Sequence, residues 1–510
     1  MRDGVSIDRG GNRDGKDKKA GAMGVFQDMA AGLRLVAVLR TLARYRALDW
    51  LLKRGQLSRG RRLLLRLTLL AVGRERGLDP DPDARLVAAL QALGPAYVKL
   101  GQMLATRPDI IGASLAERLS QLQDRMPPFA GAAAVVAEEL GQPITELFAR
   151  FEEAPVAAAS IAQVHRAEDH DGRVWAVKVL RPGIEAAFAR DLAAFRVAAR
   201  YLERHLPASR RLRPREVVET VARTVADELD LTMEAAAAAE LKENMAGLDG
   251  YAVPAVDWRR TSRRVLTMEW VDGVPLTDRA ALTAAGHDGR TLARVLVSAF
   301  LLQALRDGFF HADLHQGNFL VRADGVIVAL DFGIMGRLDA GSRRYLAEIL
   351  YGFQQRDWMR IARWHFSAGY VPKGQDVGRF AQAMRAIAEP IFDRPVREIA
   401  AGRLLARLFA TTERFGMPTQ PQLLLLQRSM VMVEGLALHL DPQANMWALS
   451  RPVITAFVRE ELAPEVQLAD RLRAVWEALA RLPDLLTALA DRLERPSAPE
   501  TTGPQTKTGE

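Results

Sequence analysis

The segment Phe309–Leu320, FFHADLHQGNFL, constrains this chain more than any other stretch of its 510 residues. It sets Asp313 five positions before Asn318. An Asp324–Gly325 hairpin signal and the apolar run Val326–Leu330 then lead into Asp331–Phe332–Gly333, placing Asp331 thirteen positions after Asn318. A carboxylate, an amide and a second carboxylate at this spacing suit phosphoryl transfer. That reaction asks a protein to orient or deprotonate a nucleophile and to hold magnesium against phosphates through oxygen ligands. Asp313 is the catalytic candidate for the first task; Asn318 and Asp331 are the metal-ligand candidates for the second. A lone Asp-Phe-Gly would read as turn residues. Both motifs in this order, behind an apolar helical segment at 291–305, do not.

Upstream, Val174–Val179 (VWAVKV) has the form of a strand carrying a nucleotide-binding lysine, whose ammonium reaches the α- and β-phosphates. Lys178 precedes Asp313 by 135 positions, which leaves room for a small lobe and the upper helices of a large one. Such a lysine needs a carboxylate to hold it. The helical segment 227–240 (DELDLTMEAAAAAE) offers Glu228 and Glu234. The loop expected over the phosphates departs from the glycine-rich loop of protein kinases: it contains Ala157, Ala158, Ala159 and Ser160. Alanine is stiffer and bulkier than glycine, so the nucleotide geometry is expected to differ from that of an ordinary kinase.

The remaining texture gives an order of elements. Residues 1–24 are polar, glycine-rich and charged, with no apolar secretory run, and read as a disordered basic N-terminus. From 25 to 146 the chain reads as helices, interrupted at Gly94–Pro95, Arg107–Pro108, Pro127–Pro128 and Gly141–Pro143. Two or three antiparallel strands fit Phe148–Leu180, separated by the alanine stretch and by an Asp171–Gly172 hairpin signal. Helix returns at 185–247, strands fit near Val253–Asp257 and Arg264–Val271, and the rest is mostly helical apart from 309–333. Residues 461–494 carry many charges and form amphipathic helices at most; 495–510 read as a disordered tail. A small β-rich unit followed by a larger helical one suits two lobes around a cleft.

Charge narrows the partners. Lys and Arg total 70 against 62 Asp and Glu, a net +8, yet residues 1–76 hold 18 against 7. That is a local +11, so the rest of the chain carries −3. Within 25–70, Leu33, Val36, Leu39 and Leu42 recur at helical spacing on one side, with Arg34, Arg40, Arg44 and Arg46 more toward another. A basic amphipathic segment fits an anionic membrane surface. Nucleic acid is the weakest candidate and is not expected as a partner, since aromatics are not interleaved with these arginines beyond Tyr45 and Trp50. The absence of cysteine excludes disulfides, thiolate zinc sites and a cysteine nucleophile.

In these motifs the chain resembles the UbiB family of atypical kinase-like proteins associated with ubiquinone biosynthesis. Tyr97–Gln102 (YVKLGQ) is similar to the family's K-x-G-Q signature, Ala157–Ser160 to its alanine-rich loop, and Glu228–Leu229–Asp230 to its E-x-D motif. The resemblance covers about 25–460. It implies an α+β, bilobal protein-kinase-like fold with an N-terminal helical extension carrying K-x-G-Q at 25–146, an N-lobe at 147–274 and a C-lobe at 275–460. It implies binding of ATP or ADP with Mg²⁺, Glu234 paired with Lys178, and Lys99 near the phosphates, held by Glu228. Lys99 joins Asp313 and Lys178 as a catalytic candidate. Ala157, Ala158, Ala159, Ser160, Glu228, Glu234, Gln102, Asn318 and Asp331 are cofactor-binding candidates. The activity implied is that of an ATPase or small-molecule kinase supporting ubiquinone biosynthesis, cytoplasmic and peripherally associated with the inner membrane. Other quinone-biosynthesis proteins and quinone-precursor lipids are its implied further partners.

The chain departs from the family's pattern in having Gln316 where many bacterial members have proline, and in lacking terminal hydrophobic spans. Ala312 replaces the arginine of the protein-kinase H-R-D, and no A-P-E follows Gly333 before the helix-like Ser342–Phe353, so a peptide-docking segment is not expected. An alternative reading is a nucleotide-binding pseudokinase scaffold for quinone-biosynthesis enzymes. A polyprenylphenol hydroxylase is disfavoured, because no G-x-G-x-x-G follows a strand and histidines in ligand spacing are few. His311 and His315 lie four apart, but within a loop this spacing reads as bracing and packing rather than as a zinc site.

Overall fold

The computed structural model describes residues 31–47, 75, 77–105, 115, 118–119, 127–205, 213–392, 411, 414–417 and 421–461. The expected polar opening at 1–24, the leucine and arginine run at 51–70, the charged segment at 462–494 and the tail lie outside these residues. The architecture is α+β, as the resemblance implied. By proximity the described residues form two compact units. One is drawn from Met1–Gln303, Phe309–Arg337 and Thr419–Ala444, the other from Ala304–Gly308, Leu338–Pro418 and Asn445–Glu510.

In the first unit, helix α1 (31–44) is followed by α2 (Pro82–Leu93) and α3 (Pro95–Ala105), which meet at Gly94–Pro95. Gly94 takes a positive φ of 105° there, a turn that proline then follows into a new helix. Arg34 of α1 donates from Nε to Asp191 at 2.5 Å and from Nη2 to the Leu93 carbonyl at 3.3 Å. The Tyr97 hydroxyl reaches the same aspartate at 3.5 Å, and the Arg34 guanidinium lies 5.7 Å from the Tyr97 ring centre. Asp191 is buried, so this pairing decides which side of α1 turns inward. Ala31, Val38 and Ala43 face the protein, while Leu33 and Val36 are 69% and 63% exposed beside exposed Arg40 and Arg44. The expected separation of leucines from arginines is therefore corrected: part of each shares the outer face.

Short helices α4 (Ala132–Leu140) and α5 (Ile144–Leu147) lead into an antiparallel sheet of β1 (Arg150–Phe151), β3 (Ala162–Glu168), β4 (Val174–Leu180) and β6 (Val265–Glu269), in that order. Contrary to expectation, the alanine stretch is itself partly a strand. β2 (Ala157–Ala158) pairs with Val164 and Gln163 of β3, main-chain pairing overriding alanine's weak strand preference. The hairpin at 169–173 forms as its Asp-Gly signal predicted, closed by the Asp169 carboxylate accepting from the Asp171 and Arg173 N–H groups. Alternation along β4 turns Val177 and Val179 onto Val135, Val136 and Phe148 in the core. Ala176 and Lys178 fall on the other face.

Three helices follow the sheet's first hairpin: α6 (Ile184–His205), α7 (Pro214–Glu228) and α8 (Leu231–Met245). Asp230 caps α8, accepting from the Thr232 N–H at 3.0 Å. Its buried stripe, Leu231, Glu234, Ala235, Ala238, Leu241 and Met245, follows helical periodicity with one carboxylate inside it. The strand expected at Val253–Asp257 is instead β5 (Tyr251–Ala252) and a single bridge from Val256 to Met268. β7 (Val274–Pro275) and α9 (Arg279–Ala284) precede the apolar helix, α10 (Gly289–Leu301), which continues as a π-helical turn at Leu302–Asp307. β8 (Phe309–His311), β9 (Phe319–Val321), β10 (Ile327–Ala329) and β11 (Met335–Arg337) complete the strands.

The second unit is helical: α11 (Ala340–Gln355), α12 (Trp358–Ser367), α13 (Val377–Phe392) and α15 (Met446–Glu461). Its core gathers Ile361, Phe380, Met384 and Phe415. Helix α14 (Pro421–Leu440) belongs to the first unit and packs on α10. Among the described residues no helix is long and apolar enough to cross a membrane.

Candidate active site

Two antiparallel strand pairs, one enclosing the other along the chain, converge on the residues singled out in the sequence. β8 pairs antiparallel with β11, setting His311 against Met335, and β9 pairs with β10, setting Phe319 against Ala329. Backbone bonds then cross between the loops: Ala312 N–H to the Ile334 carbonyl and Leu330 N–H to the Asn318 carbonyl, both 3.0 Å. Asp313, Asn318 and Asp331 are thereby brought to one wall of a cleft of about 1180 Å³. Gly336 permits the approach, since a Cβ there would lie 2.2 Å from Cζ of Phe310.

Lys178 enters the cleft from β4. Its Nζ donates to both oxygens of Glu234, at 2.7 and 2.8 Å, and lies 3.6 Å from Oδ2 of Asp331. Burial pushes the ammonium toward neutrality, but the Asp331 and Glu234 carboxylates outweigh it and hold its pKa above the ordinary lysine range. For Glu234, burial is the larger effect and raises the carboxyl's pKa against the pull of Lys178. Asp331 is drawn down to about 2 by the Lys178 ammonium, with burial opposing and the Gly333 N–H assisting. Its side chain remains 49% exposed to the cleft.

On the same wall, the Asn318 amide nitrogen donates to the Asp313 carbonyl at 3.0 Å and approaches its Oδ2 at 3.4 Å. This leaves Oδ1 as the asparagine's free acceptor. His311 is buried, and its Nδ1 accepts from the Asp313 N–H at 3.2 Å. Burial lowers its pKa, so the ring braces the loop as a neutral acceptor. His315 is exposed, and its Nδ1 accepts from the Gly317 N–H.

Helix α3 adds a second lysine. Lys99 Nζ stands 3.1 Å from Oε2 of Glu228 at the end of α7, the two side chains being 15% and 11% exposed. Both line the cleft, with Ala157, Ala158, Ala159, Ser160, Lys178, Glu234, Asp313, Asn318 and Asp331. Gln102, on the same helix as Lys99, is not among the lining residues. Two groups of lining residues were not singled out in the sequence. One is the segment Met268–Gly273, the end of β6 and the residues that follow it, which was legible only as part of a strand; the other is the rim of Val156, Met233 and Ile334.

A magnesium nucleotide fits this donor set. Ser160 lines the cleft, and its Oγ is buried without a hydrogen-bond partner among the described residues. Among the described residues no three His, Asp or Glu side chains converge into a closed metal cage. One carboxylate and one amide, those of Asp331 and Asn318, instead suit an ion that keeps waters and takes phosphate oxygens.

With a folded-state pKa of about 2 against the usual 3.8, ionised Asp331 contributes stability that is complete above about pH 4 and fades as the pH falls toward 2. Asp331→Asn has no carboxyl to titrate. Its urea midpoint is expected to fall less between pH 4 and 2 than that of the wild type; parallel curves would show that Lys178 does not hold Asp331 ionised.

Residues 121–365 match the ABC1 atypical kinase-like domain, and residues 384–445 match the UbiB helical domain. Among solved structures, the chain is similar to Rv3197 from Mycobacterium tuberculosis, in complex with erythromycin. The two are 24% identical over 72% of this chain and 94% of that one, with a TM-score of 0.47. It is also similar to the Rio2 kinase–ADP/Mg²⁺–phosphoaspartate complex from Chaetomium thermophilum, at 16% identity over 68% and 99% of the two chains and a TM-score of 0.27. The ABC1 atypical kinase-like domain and the UbiB helical domain follow each other in this chain, which belongs to the UbiB family of atypical kinase-like proteins.

Proposed function

We propose that the chain is a magnesium-dependent phosphotransferase or ATPase of the atypical kinase type that supports ubiquinone biosynthesis at a membrane. The observation that carries this reading is the gathering of Lys178, Glu234, Asp331, Asn318 and Asp313 along one cleft, with both lysines paired to carboxylates. Asn318 Oδ1 and Asp331 would hold the metal, which when bound neutralises phosphate charge and draws the phosphates into line. Lys178, kept cationic by Glu234 and Asp331, would hold the α- and β-phosphates of ATP or ADP. Asp313 would accept the proton of the attacking hydroxyl, from water or a small-molecule acceptor such as a quinone-precursor lipid. Lys99 sits on the K-x-G-Q helix, where it would face the phosphates from the side on which a protein kinase admits peptide. Gln102 would act through that helix.

Asp313→Asn is expected to lower ATP hydrolysis by about 10²–10⁴-fold, the share of a general base, while leaving ADP affinity near that of the wild type. Equal hydrolysis in the two would remove Asp313 from the chemistry. Hydrolysis absent from both, with nucleotide binding intact, would favour the scaffold reading.

Peripheral contact with an anionic membrane rests on a separate observation, the shared outer face of Leu33, Val36, Arg40 and Arg44 on α1. Leu33→Glu with Val36→Glu should reduce sedimentation with vesicles rich in anionic lipid, relative to neutral vesicles. Unchanged sedimentation would contradict membrane contact through this helix.

A further inference from the structure

The alanine-rich loop is gripped from outside the cleft by Arg181, the residue just after β4. Its Nε and Nη2 both donate to the Ala159 carbonyl, at 3.1 and 2.9 Å, and its own N–H donates to the Ile161 carbonyl at 2.8 Å. Arg181 is not among the residues lining the cleft, whereas Ala159, Ser160 and Ile161 are. Its guanidinium rests 5.6 Å from the ring centre of Phe129. Phe129 is fixed in turn by Gln163, whose Oε1 accepts from the Phe129 N–H and whose Nε2 donates to the Phe129 carbonyl, both at 3.0 Å. The remaining amide N–H of Gln163 meets His165 Nε2 at 2.8 Å, so His165 Nδ1–H donates to the Glu152 carbonyl. The chain Glu152–His165–Gln163–Phe129–Arg181–Ala159 is thus a continuous set of contacts ending on one loop carbonyl.

A trans peptide places the next N–H opposite the carbonyl before it. With the Ala159 carbonyl turned to the Arg181 guanidinium, the Ser160 N–H of the same peptide faces the opposite way. Neither that N–H nor the Ser160 hydroxyl donates to another described residue. Glycine-rich loops reach phosphates through backbone freedom, which three alanines lack.

We infer that Arg181 is a positioning residue for the nucleotide phosphates: by holding the Ala159 carbonyl it aims the Ser160 N–H and hydroxyl at a phosphate oxygen, replacing glycine's freedom with an external clamp. This rests on the nucleotide reading of the cleft proposed above. A lysine at 181 keeps the charge but loses the two-pronged donation, so it does not substitute.

The test is calorimetric titration of wild type, Arg181→Lys, Arg181→Gln and Ser160→Ala with adenosine, and with ADP in Mg²⁺. Each variant is expected to bind ADP about tenfold more weakly, the weight of one positioned hydrogen bond to a charged group, with adenosine affinity unchanged. Combining Arg181→Gln with Ser160→Ala should cost less than the sum of the two single losses, because the hydroxyl contact that Ser160→Ala removes is one of those that Arg181 positions. ADP affinity unchanged in the Arg181 variants overturns the inference, and so does an equal loss for adenosine, which would mark a general structural role. A wild type that binds no ADP overturns the nucleotide reading and this inference together.

Discussion

A lysine held between two carboxylates organises this molecule. Lys178 is 16% exposed and Glu234 only 7%, so neither charge is tolerable without the other. Removing one partner from a buried pair of this kind typically costs about 3–5 kcal/mol, because the other is left charged and unsolvated. The pair therefore fixes where α8 stands against the sheet. Asp331 adds the third charge, and through it the position of α8 bears on the loop that follows β10. Glu240, two turns along the same helix, reinforces the arrangement by pairing with Arg337 of β11, whose guanidinium lies 4.4 Å from the centre of the Phe309 ring. One helix thus touches the lysine strand and the strand after Gly333.

A comparable arrangement holds the K-x-G-Q helix. Lys99 is secured at the cleft by Glu228, while Tyr97, two residues earlier, contacts Asp191 and the Phe195 ring on α6. Arg34 completes that contact from α1. The segment before the sheet is in this way joined to the cleft by charge pairs that are widely separated in sequence, and the outward face of α1 follows from the same pairing.

How much of this was legible in the sequence depended on whether the chemistry left a local signature. Asp313, Asn318 and Asp331 were readable because their residue types and spacing are contiguous and their turns have their own signals. Glu234 was legible as the partner of Lys178 only with the family's E-x-D motif as a ruler, since Glu228 was equally available by composition. The alanine loop was readable in content but not in conformation: two of its alanines pair as a strand, which propensity argues against and tertiary pairing decides. The facing of α1 was hidden because its determinant, Asp191, lies 157 positions away. Arg181 was hidden for another reason. It works on a backbone carbonyl, and a backbone partner leaves no trace in side-chain identity.

The central claim is that the charges around Lys178 form a magnesium-nucleotide site. Its most direct test is calorimetric titration of the wild type and Asp331→Asn with ADP and with ATP, each with and without Mg²⁺. The account predicts binding that requires the metal in the wild type and is lost in the variant, whose lysine remains held by Glu234. Metal-dependent binding that survives in Asp331→Asn would contradict it.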